Sequence, residues 1–250
     1  PEDEVRVGKE EHPKILKQHG GVYDEFKLGR YVSEVTFRLT QVAELPNLTY
    51  TIPILNDTGV NAFALPGGDI YITRGLLSLI ENEAEMAGVL AHEIGHVTAR
   101  HTAQRYSKAI ATNLGLNVVG ILGSLYGAPA GAGNVLSLGA ALYLQGHSRE
   151  QELEADKLAV RYLIRAGYDP NAMVTFFKKM QAHSNLQAKL AGKSDEPDQF
   201  HALSTHPRTE QRIVQAINLV KLARIKSPRL GRTRLLAALD GMLYGDDPKQ

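Results

Sequence analysis

One short segment of the 250-residue chain has the residue types and spacing of a catalytic metal site. It reads His92-Glu93-Ile94-Gly95-His96, with two histidines four positions apart and a glutamate directly after the first. Residues four apart share one face of an α-helix, so His92 and His96 can present their imidazoles to one zinc ion. Glu93 is then placed to accept a proton from a zinc-bound water. The segment predicts metal-assisted hydrolysis.

Composition supports this interpretation. The chain has nine histidines and no cysteine, which excludes thiolate metal sites, disulfides and cysteine nucleophiles. Chance would give about 0.02 matches to this histidine–glutamate pattern in such a chain. The apolar run Val89-Leu90-Ala91 before the motif favours a buried helix over two solvated histidines. A metal site in this protein must therefore use nitrogen and oxygen ligands.

A catalytic zinc ion needs a third protein ligand and an open fourth position. A metzincin motif would place glycine at position 99 and histidine at position 102, whereas the residues are Ala99 and Thr102, and His101 is one residue out of register. The alternative is a carboxylate from a second helix. Glu152 and Asp156 share a helix face, so one can bind zinc while the other hydrogen-bonds a ligand imidazole.

Hydrophobic periodicity predicts the helices that must position these side chains. We expect helices over 2–18, 23–44, 81–106, 148–167, 171–181 and 209–223, with a polar loop over 182–199. β-Branched and aromatic runs over 48–55, 61–65 and 69–73, with a turn at Pro66-Gly67, predict a small antiparallel sheet beside the motif helix. The predicted fold is a mainly helical α+β single domain over 1–250, with its core at roughly 23–220.

The stretch 109–148 contains no Asp, Glu, Lys or Arg. Its glycines and its length leave two interpretations open: a buried helical hairpin, or a mobile flap that makes peripheral contact with a membrane.

Charge excludes some partners. Lys and Arg number 28 and Asp and Glu number 27, and no basic stripe is present. Binding to nucleic acid is therefore not expected. The chain starts at Pro1 without a signal segment, which we interpret as a mature or trimmed protein.

Four motifs occur in a fixed order and together resemble a known family. They are Asn61-Ala62-Phe63-Ala64 with Pro66-Gly67-Gly68, the His92–His96 segment, Glu152 with Asp156, and Ser204-Thr205-His206-Pro207 followed by Arg212. The combination resembles the gluzincin metallopeptidases that include the CAAX prenyl proteases, HtpX and BepA. The resemblance implies a zincin-like domain in which one zinc ion is bound by His92, His96 and Glu152, with Glu93 as general base and Asp156 orienting a ligand.

The resemblance also implies roles outside this core. His206 and Arg212 would reach the active site, where they would either stabilise the oxyanion or plug the fourth zinc position in a resting state. Asn61, Ala62 and Phe63 would form the sheet edge to which a substrate adds as an extended strand.

These observations predict a zinc-dependent endopeptidase that hydrolyses unfolded or misassembled polypeptides in envelope protein quality control. We expect a periplasmic or membrane-associated location in a bacterial envelope, with envelope proteins as partners. The alternative is a chaperone or assembly factor whose zinc site is latched and weakly active. A purely structural zinc protein would leave Glu93 without a role.

Overall fold

The computed structural model describes residues 2–105, 107–108, 146–192, 206, 210–223 and 225–245. The predicted hairpin or flap therefore lies outside the described residues, apart from 146–148. The helices are α1 (Glu2–Gln18), α2 (Phe26–Thr40), α3 (Arg74–Leu79), α4 (Glu83–Thr98), α5 (Arg149–Arg165), α6 (Asn171–Leu190), α7 (Glu210–Leu222) and α8 (Arg232–Leu239). The strands are β1 (Ile54–Leu55), β2 (Ala62–Ala64) and β3 (Ile70–Thr73). The prediction of a mainly helical α+β fold is confirmed.

The three strands form a mixed sheet in the order β1-β3-β2. β3 pairs antiparallel with β2 and parallel with β1, so the sheet is not antiparallel throughout, as the sequence suggested. The β2–β3 connection turns at Gly67 and Gly68, whose φ angles of 97° and 106° are left-handed and suit glycine. The chain reverses direction between β1 and β2 and again between β2 and β3. β3, the central strand, therefore runs parallel to β1.

Alternation along the strands divides the sheet into two apolar faces. Ala62, Ala64, Ile70 and Ile72 belong to the main core, and β2 packs against α4. On the other face, Phe63 and Tyr71 stack with ring centroids 4.9 Å apart and form a smaller cluster with Ile15 of α1. The sheet is therefore covered on one side by the motif helix and on the other by the first helix.

Helix α4 is buried along almost its whole length and packs closely against α5. Gly95, within the histidine motif, makes this approach feasible: a Cβ atom there would lie 3.1 Å from the Ala155 carbonyl oxygen and 3.3 Å from its Cα. Such contacts are tighter than side chains normally accept. Because Ala155 lies between Glu152 and Asp156, this contact brings both carboxylates next to the histidines.

The first residue of α4 is anchored by a buried polar cluster. Glu83 is fully buried and accepts hydrogen bonds from the hydroxyls of Tyr31 (2.8 Å) and Tyr168 (2.9 Å). Three guanidinium groups lie 3.5–3.8 Å from its carboxylate, those of Arg38, Arg229 and Arg234. Leu235 and Ala238 of α8 are buried in the main core. Residues beyond α7 therefore help to hold the start of α4.

Several element boundaries differ from the sequence predictions. Helix α6 continues to Leu190, so the predicted polar loop is wrong over 182–190, and α8 was not predicted. Helix α4 ends at Thr98 because Arg100 adopts a left-handed φ of 59°, and residues 101–105 start a new helical segment. In the described part of the chain, no helix combines the length and the apolar character needed to cross a bilayer.

Candidate metal centre

Four side chains with metal-binding atoms meet in the interior. They are His92 and His96 from α4, Glu152 from α5, and His206, and one ligand atom of each lies within 4.8 Å of all the others. All four residues are buried. Such a cluster could hold a metal ion through nitrogen and oxygen ligands, as zinc sites in proteins do.

Helix geometry accounts for three of the four positions. The Nε2 atoms of His92 and His96 are 3.0 Å apart, as expected for residues one turn apart on α4. The two carboxylate oxygens of Glu152 lie 3.4 Å from these nitrogens, one from each. A capping box between Ser148 and Gln151 fixes the start of α5 and so the direction of Glu152 in its first turn.

The donor set fits a divalent cation. Glu93, Glu152 and Asp156 are buried carboxylates, and their buried cationic partners in this structure are the guanidinium of Arg212 and the imidazole of His206. Buried charges require partners, and three carboxylates against these two groups leave an excess of negative charge that a divalent cation would stabilise. The Glu93 Oε2 atom is also buried with no hydrogen-bond partner among the described residues. Charge and geometry thus both favour a metal ion between α4 and α5.

A second layer of contacts orients the predicted ligands. Asp156 Oδ1 lies 2.9 Å from Nδ1 of His92, while Arg212 approaches Asp156 with Nε at 2.7 Å and Nη2 at 2.8 Å. The remaining guanidinium nitrogen, Nη1, is 2.5 Å from Glu152 Oε2. Burial acts to raise the pKa of Asp156, but Arg212 and His92 together outweigh it and hold the pKa below its ordinary value. For Glu152, burial is outweighed by His206 and Arg212, and its pKa lies well below the ordinary value.

His206 lies between Glu152, the predicted ligand carboxylate, and Glu93, the predicted general base. Its Nδ1 is 2.9 Å from Glu152 Oε1 and 3.2 Å from Nε2 of His92, and its Nε2 is 3.2 Å from Glu93 Oε1. Burial acts to lower the pKa of His206, but Glu93 and Glu152 raise it to about 10. Burial lowers the pKa of His96 to about 3, so that imidazole is neutral, as metal binding requires.

The structure places the sequence-predicted site residues in two groups. The histidines, carboxylates and Arg212 described above converge. The strand residues Asn61, Ala62 and Phe63 lie in or beside β2, and the Phe63 ring packs into the cluster on the α1 side of the sheet. Substrate binding along this strand stays a prediction, and it concerns the backbone of Phe63 rather than its ring.

Two buried histidines that contact His96 were missed as site residues. The Nδ1 atoms of His96 and His101 are 2.9 Å apart, and the ring of His147 stacks on that of His96 with centroids 3.8 Å apart. His101 was considered only as a metal ligand and set aside for its register. His147 carried no signal beyond its place at the end of the uncharged stretch.

The fold and the site together define a metallopeptidase domain of the zincin type. Residues 27–220 match Peptidase family M48, and the chain belongs to this family. The resemblance inferred from the four motifs is confirmed.

The chain is similar to several curated relatives. It is 34% identical over 197 residues to the beta-barrel assembly-enhancing protease of Escherichia coli O157:H7, covering 76% of this chain and 38% of the relative. It is 29% identical over 252 residues to a putative beta-barrel assembly-enhancing protease of Vibrio cholerae, covering 96% and 50%. It is 28% identical over 227 residues to the mitochondrial metalloendopeptidase OMA1 of Schizosaccharomyces pombe, covering 89% and 63%. The chain thus spans 38–63% of the length of these relatives.

Proposed function

We propose that the chain is a zinc-dependent endopeptidase that hydrolyses peptide bonds of unfolded or misassembled proteins. The observation that carries the proposal is the convergence of His92, His96 and Glu152 beside Glu93 in a member of a metallopeptidase family. His92, His96 and Glu152 would hold one zinc ion. Asp156 would orient His92 through its Nδ1 atom.

The bound ion supplies a Lewis acid that polarises the scissile carbonyl and makes water a stronger acid. Glu93 follows the first ligand on α4 and takes the proton from the attacking water. It then gives that proton to the leaving amine as the peptide bond breaks. The Glu93 carboxylate is ionised and can therefore accept a proton: burial acts to raise its pKa, but His206 and the other histidines lower it below the ordinary value.

The setting of this activity is also part of the proposal. Bacterial relatives have names that refer to enhancing β-barrel assembly, which supports a role in envelope protein quality control. We propose a periplasmic or membrane-associated protein that acts on polypeptides, with envelope proteins as partners and peripheral membrane contact through 109–148. The near-neutral charge of +1 offers no support for nucleic-acid binding.

Removal of the metal tests the proposed activity. The purified chain is expected to cleave an unfolded polypeptide such as casein, to lose this activity when a chelator removes the metal, and to regain it with one equivalent of Zn²⁺. Product formation is followed on gels together with metal content by mass spectrometry. Addition of Mg²⁺, which prefers octahedral oxygen ligands, is the control and is expected to restore nothing. Undiminished cleavage by a verified metal-free chain would refute the proposal.

A second candidate function is a chaperone or assembly factor with a latched zinc site. The observation that favours it is the position of His206, whose Nδ1 lies 3.2 Å from His92 Nε2 and 2.9 Å from Glu152 Oε1 while its Nε2 lies 3.2 Å from Glu93 Oε1. A histidine in this position would take the fourth ligand position of the zinc ion and would pair with Glu93, so that Glu93 could not act as a general base.

Replacement of His206 by alanine distinguishes the two functions of this residue. Because the side chain lies within the ligand cluster, we expect His206→Ala to raise casein cleavage several-fold. A fall of about 10²-fold would assign His206 to oxyanion stabilisation instead. Zinc content measured on the same samples separates either effect from loss of the metal.

A further inference from the structure

His101 connects a predicted zinc ligand to a carboxylate on the neighbouring helix. The residue is 2% exposed. Its Nδ1 lies 2.9 Å from Nδ1 of His96, and its Nε2 lies 3.3 Å from Oε2 of Glu154 on α5. His96 turns its other nitrogen, Nε2, toward His92 and Glu152. The three side chains thus form a line that starts at the ligand cluster and ends at the surface.

Only one arrangement of protons suits this line when His96 binds a metal through Nε2. A neutral imidazole ligand carries its proton on the other nitrogen, so Nδ1–H of His96 must donate. Nδ1 of His101 must then accept, which places the proton of His101 on Nε2. That Nε2–H points to Glu154, whose carboxylate oxygens are acceptors. Each donor therefore meets an acceptor.

The backbone is bent to bring His101 into this position. Arg100 adopts a left-handed conformation with φ 59°, which is uncommon for a residue with a side chain. Its N–H donates to the Val97 carbonyl at 3.0 Å and ends α4, and Gln104 N–H donates to the Arg100 carbonyl at 3.0 Å in the next helical segment. The turn folds His101 back along the last turn of α4, onto His96. Unfavourable backbone conformations persist where the surrounding structure holds them in place.

We propose that His101 is a positioning residue that fixes the tautomer and ring orientation of the zinc ligand His96, with Glu154 as its anchor. The inference rests on the proposed function for the identity of the metal. It gives both ligand histidines a carboxylate on α5, since Asp156 contacts His92 directly and Glu154 contacts His96 through His101. Helix α5 would then supply one ligand, Glu152, and the outer partners of the other two. Outer partners of this kind commonly change metal affinity 10–100-fold.

Zinc affinity of matched variants tests the proposal. His101→Leu fills the same space without an acceptor and is expected to weaken Zn²⁺ binding about 10–100-fold. His101→Asn places a side-chain oxygen close to the position of Nδ1, and is expected to restore affinity to within a few-fold of the original chain. Dissociation constants are measured by competition with a chromophoric chelator, and Co²⁺ spectra of the same variants report the geometry of the ligands.

Glu154→Leu is expected to weaken Zn²⁺ binding by a smaller, several-fold factor, because Glu154 is exposed. Glu150→Leu, one turn earlier on α5 and also exposed, is the control and is expected to leave affinity unchanged. Thermal unfolding of the metal-free variants shows whether each one folds.

Two results would overturn the proposal: unchanged affinity of a folded His101→Leu variant, or equal weakening by leucine and asparagine. If His101→Leu does not fold, the other two variants test the proposal. Weak Zn²⁺ binding by His101→Asn, or unchanged Zn²⁺ binding by Glu154→Leu, would then reject it. Because the readout is metal binding, a chain that binds zinc but cleaves nothing would refute the endopeptidase proposal and leave this one standing.

Discussion

Glutamine in place of Glu93 is expected to leave zinc bound and to abolish peptide-bond hydrolysis. The two side chains have nearly the same shape, and Glu93 is 2% exposed, so the substitution changes charge and basicity with little change in packing. An amide cannot take the proton from the attacking water or return it to the leaving amine. General acid–base catalysis contributes about 10²–10⁴-fold to the rate, so kcat should fall by a factor of about 10² or more. Casein cleavage and zinc content, measured on one preparation, check the expectation.

Glu85→Gln is a matched control for this variant. Glu85 is a second buried carboxylate on α4, but it lies two turns before Glu93 and bonds to Thr175 and Lys179 of α6. Its replacement should cost stability and leave the rate of hydrolysis per folded molecule close to that of the original chain. Retained cleavage by Glu93→Gln would refute the assignment of Glu93 as general base.

Replacing Arg212 by methionine is expected to lower the free energy of unfolding more than any other substitution named above. The guanidinium is 3% exposed and is the buried positive group that contacts both Asp156 and Glu152. Its removal leaves buried carboxylates without that partner, and breaking buried ion pairs in this way costs about 3–5 kcal/mol. Urea unfolding of the metal-free chain at neutral pH measures the loss. Zinc affinity should fall as well, because Arg212 contacts the predicted ligand Glu152.

The pH dependence of the Arg212 variant follows from the direction of the pKa shifts. In the original chain, the pKa values of Glu152 and Asp156 lie below their ordinary values, so these groups stabilise the fold above that range and lose the effect as pH falls through their folded values. Without Arg212, less positive charge opposes the effect of burial, which raises the pKa values of Glu152 and Asp156. Both carboxyl groups then protonate at higher pH. The difference in stability between variant and original should therefore shrink as pH falls from neutral toward about 4.

A surface arginine provides the control for this experiment. Arg161 on α5 pairs with Glu44, and both side chains are exposed by more than a third. Arg161→Met should change the free energy of unfolding little, at either pH. Equal stability of the Arg161 and Arg212 variants would contradict the role assigned to the buried guanidinium. The contacts of Arg212 favour a role through Glu152 and Asp156, while its predicted contact with the oxyanion stays a prediction.

The sequence predicted the parts of the site that depend on helical repeat. The spacing of His92 and His96, and of Glu152 and Asp156, places each pair on one helix face wherever the helix lies. The need for a third ligand predicted a carboxylate from a second helix, and the family resemblance assigned that role to Glu152. The Gly95–Ala155 contact now gives the physical basis for the approach of the two helices. Such a contact between segments distant in the chain leaves no local periodic signal.

Other features depend on structure that the sequence does not display. Parallel pairing of β1 with β3 follows from strand order, which is a tertiary property. Helix α6 was predicted too short because its second half is polar, although Ser184 and Ala188 continue the buried face at four-residue spacing. The position of His101 depends on the left-handed backbone conformation of Arg100. An arginine in a sequence does not predict this conformation.

The anchoring of Glu83 bears on where this protein can be divided. The family match ends at residue 220, yet Arg229 and Arg234 face the buried carboxylate and Ala84 N–H donates to the Leu230 carbonyl at 3.1 Å. Truncation at residue 220 would remove Arg229 and Arg234 from the surroundings of Glu83. It would also remove α8 and expose the part of the core that this helix covers. The segment 225–243 thus supports the helix that carries the predicted metal ligands. A transfer of the site to another scaffold must include this segment.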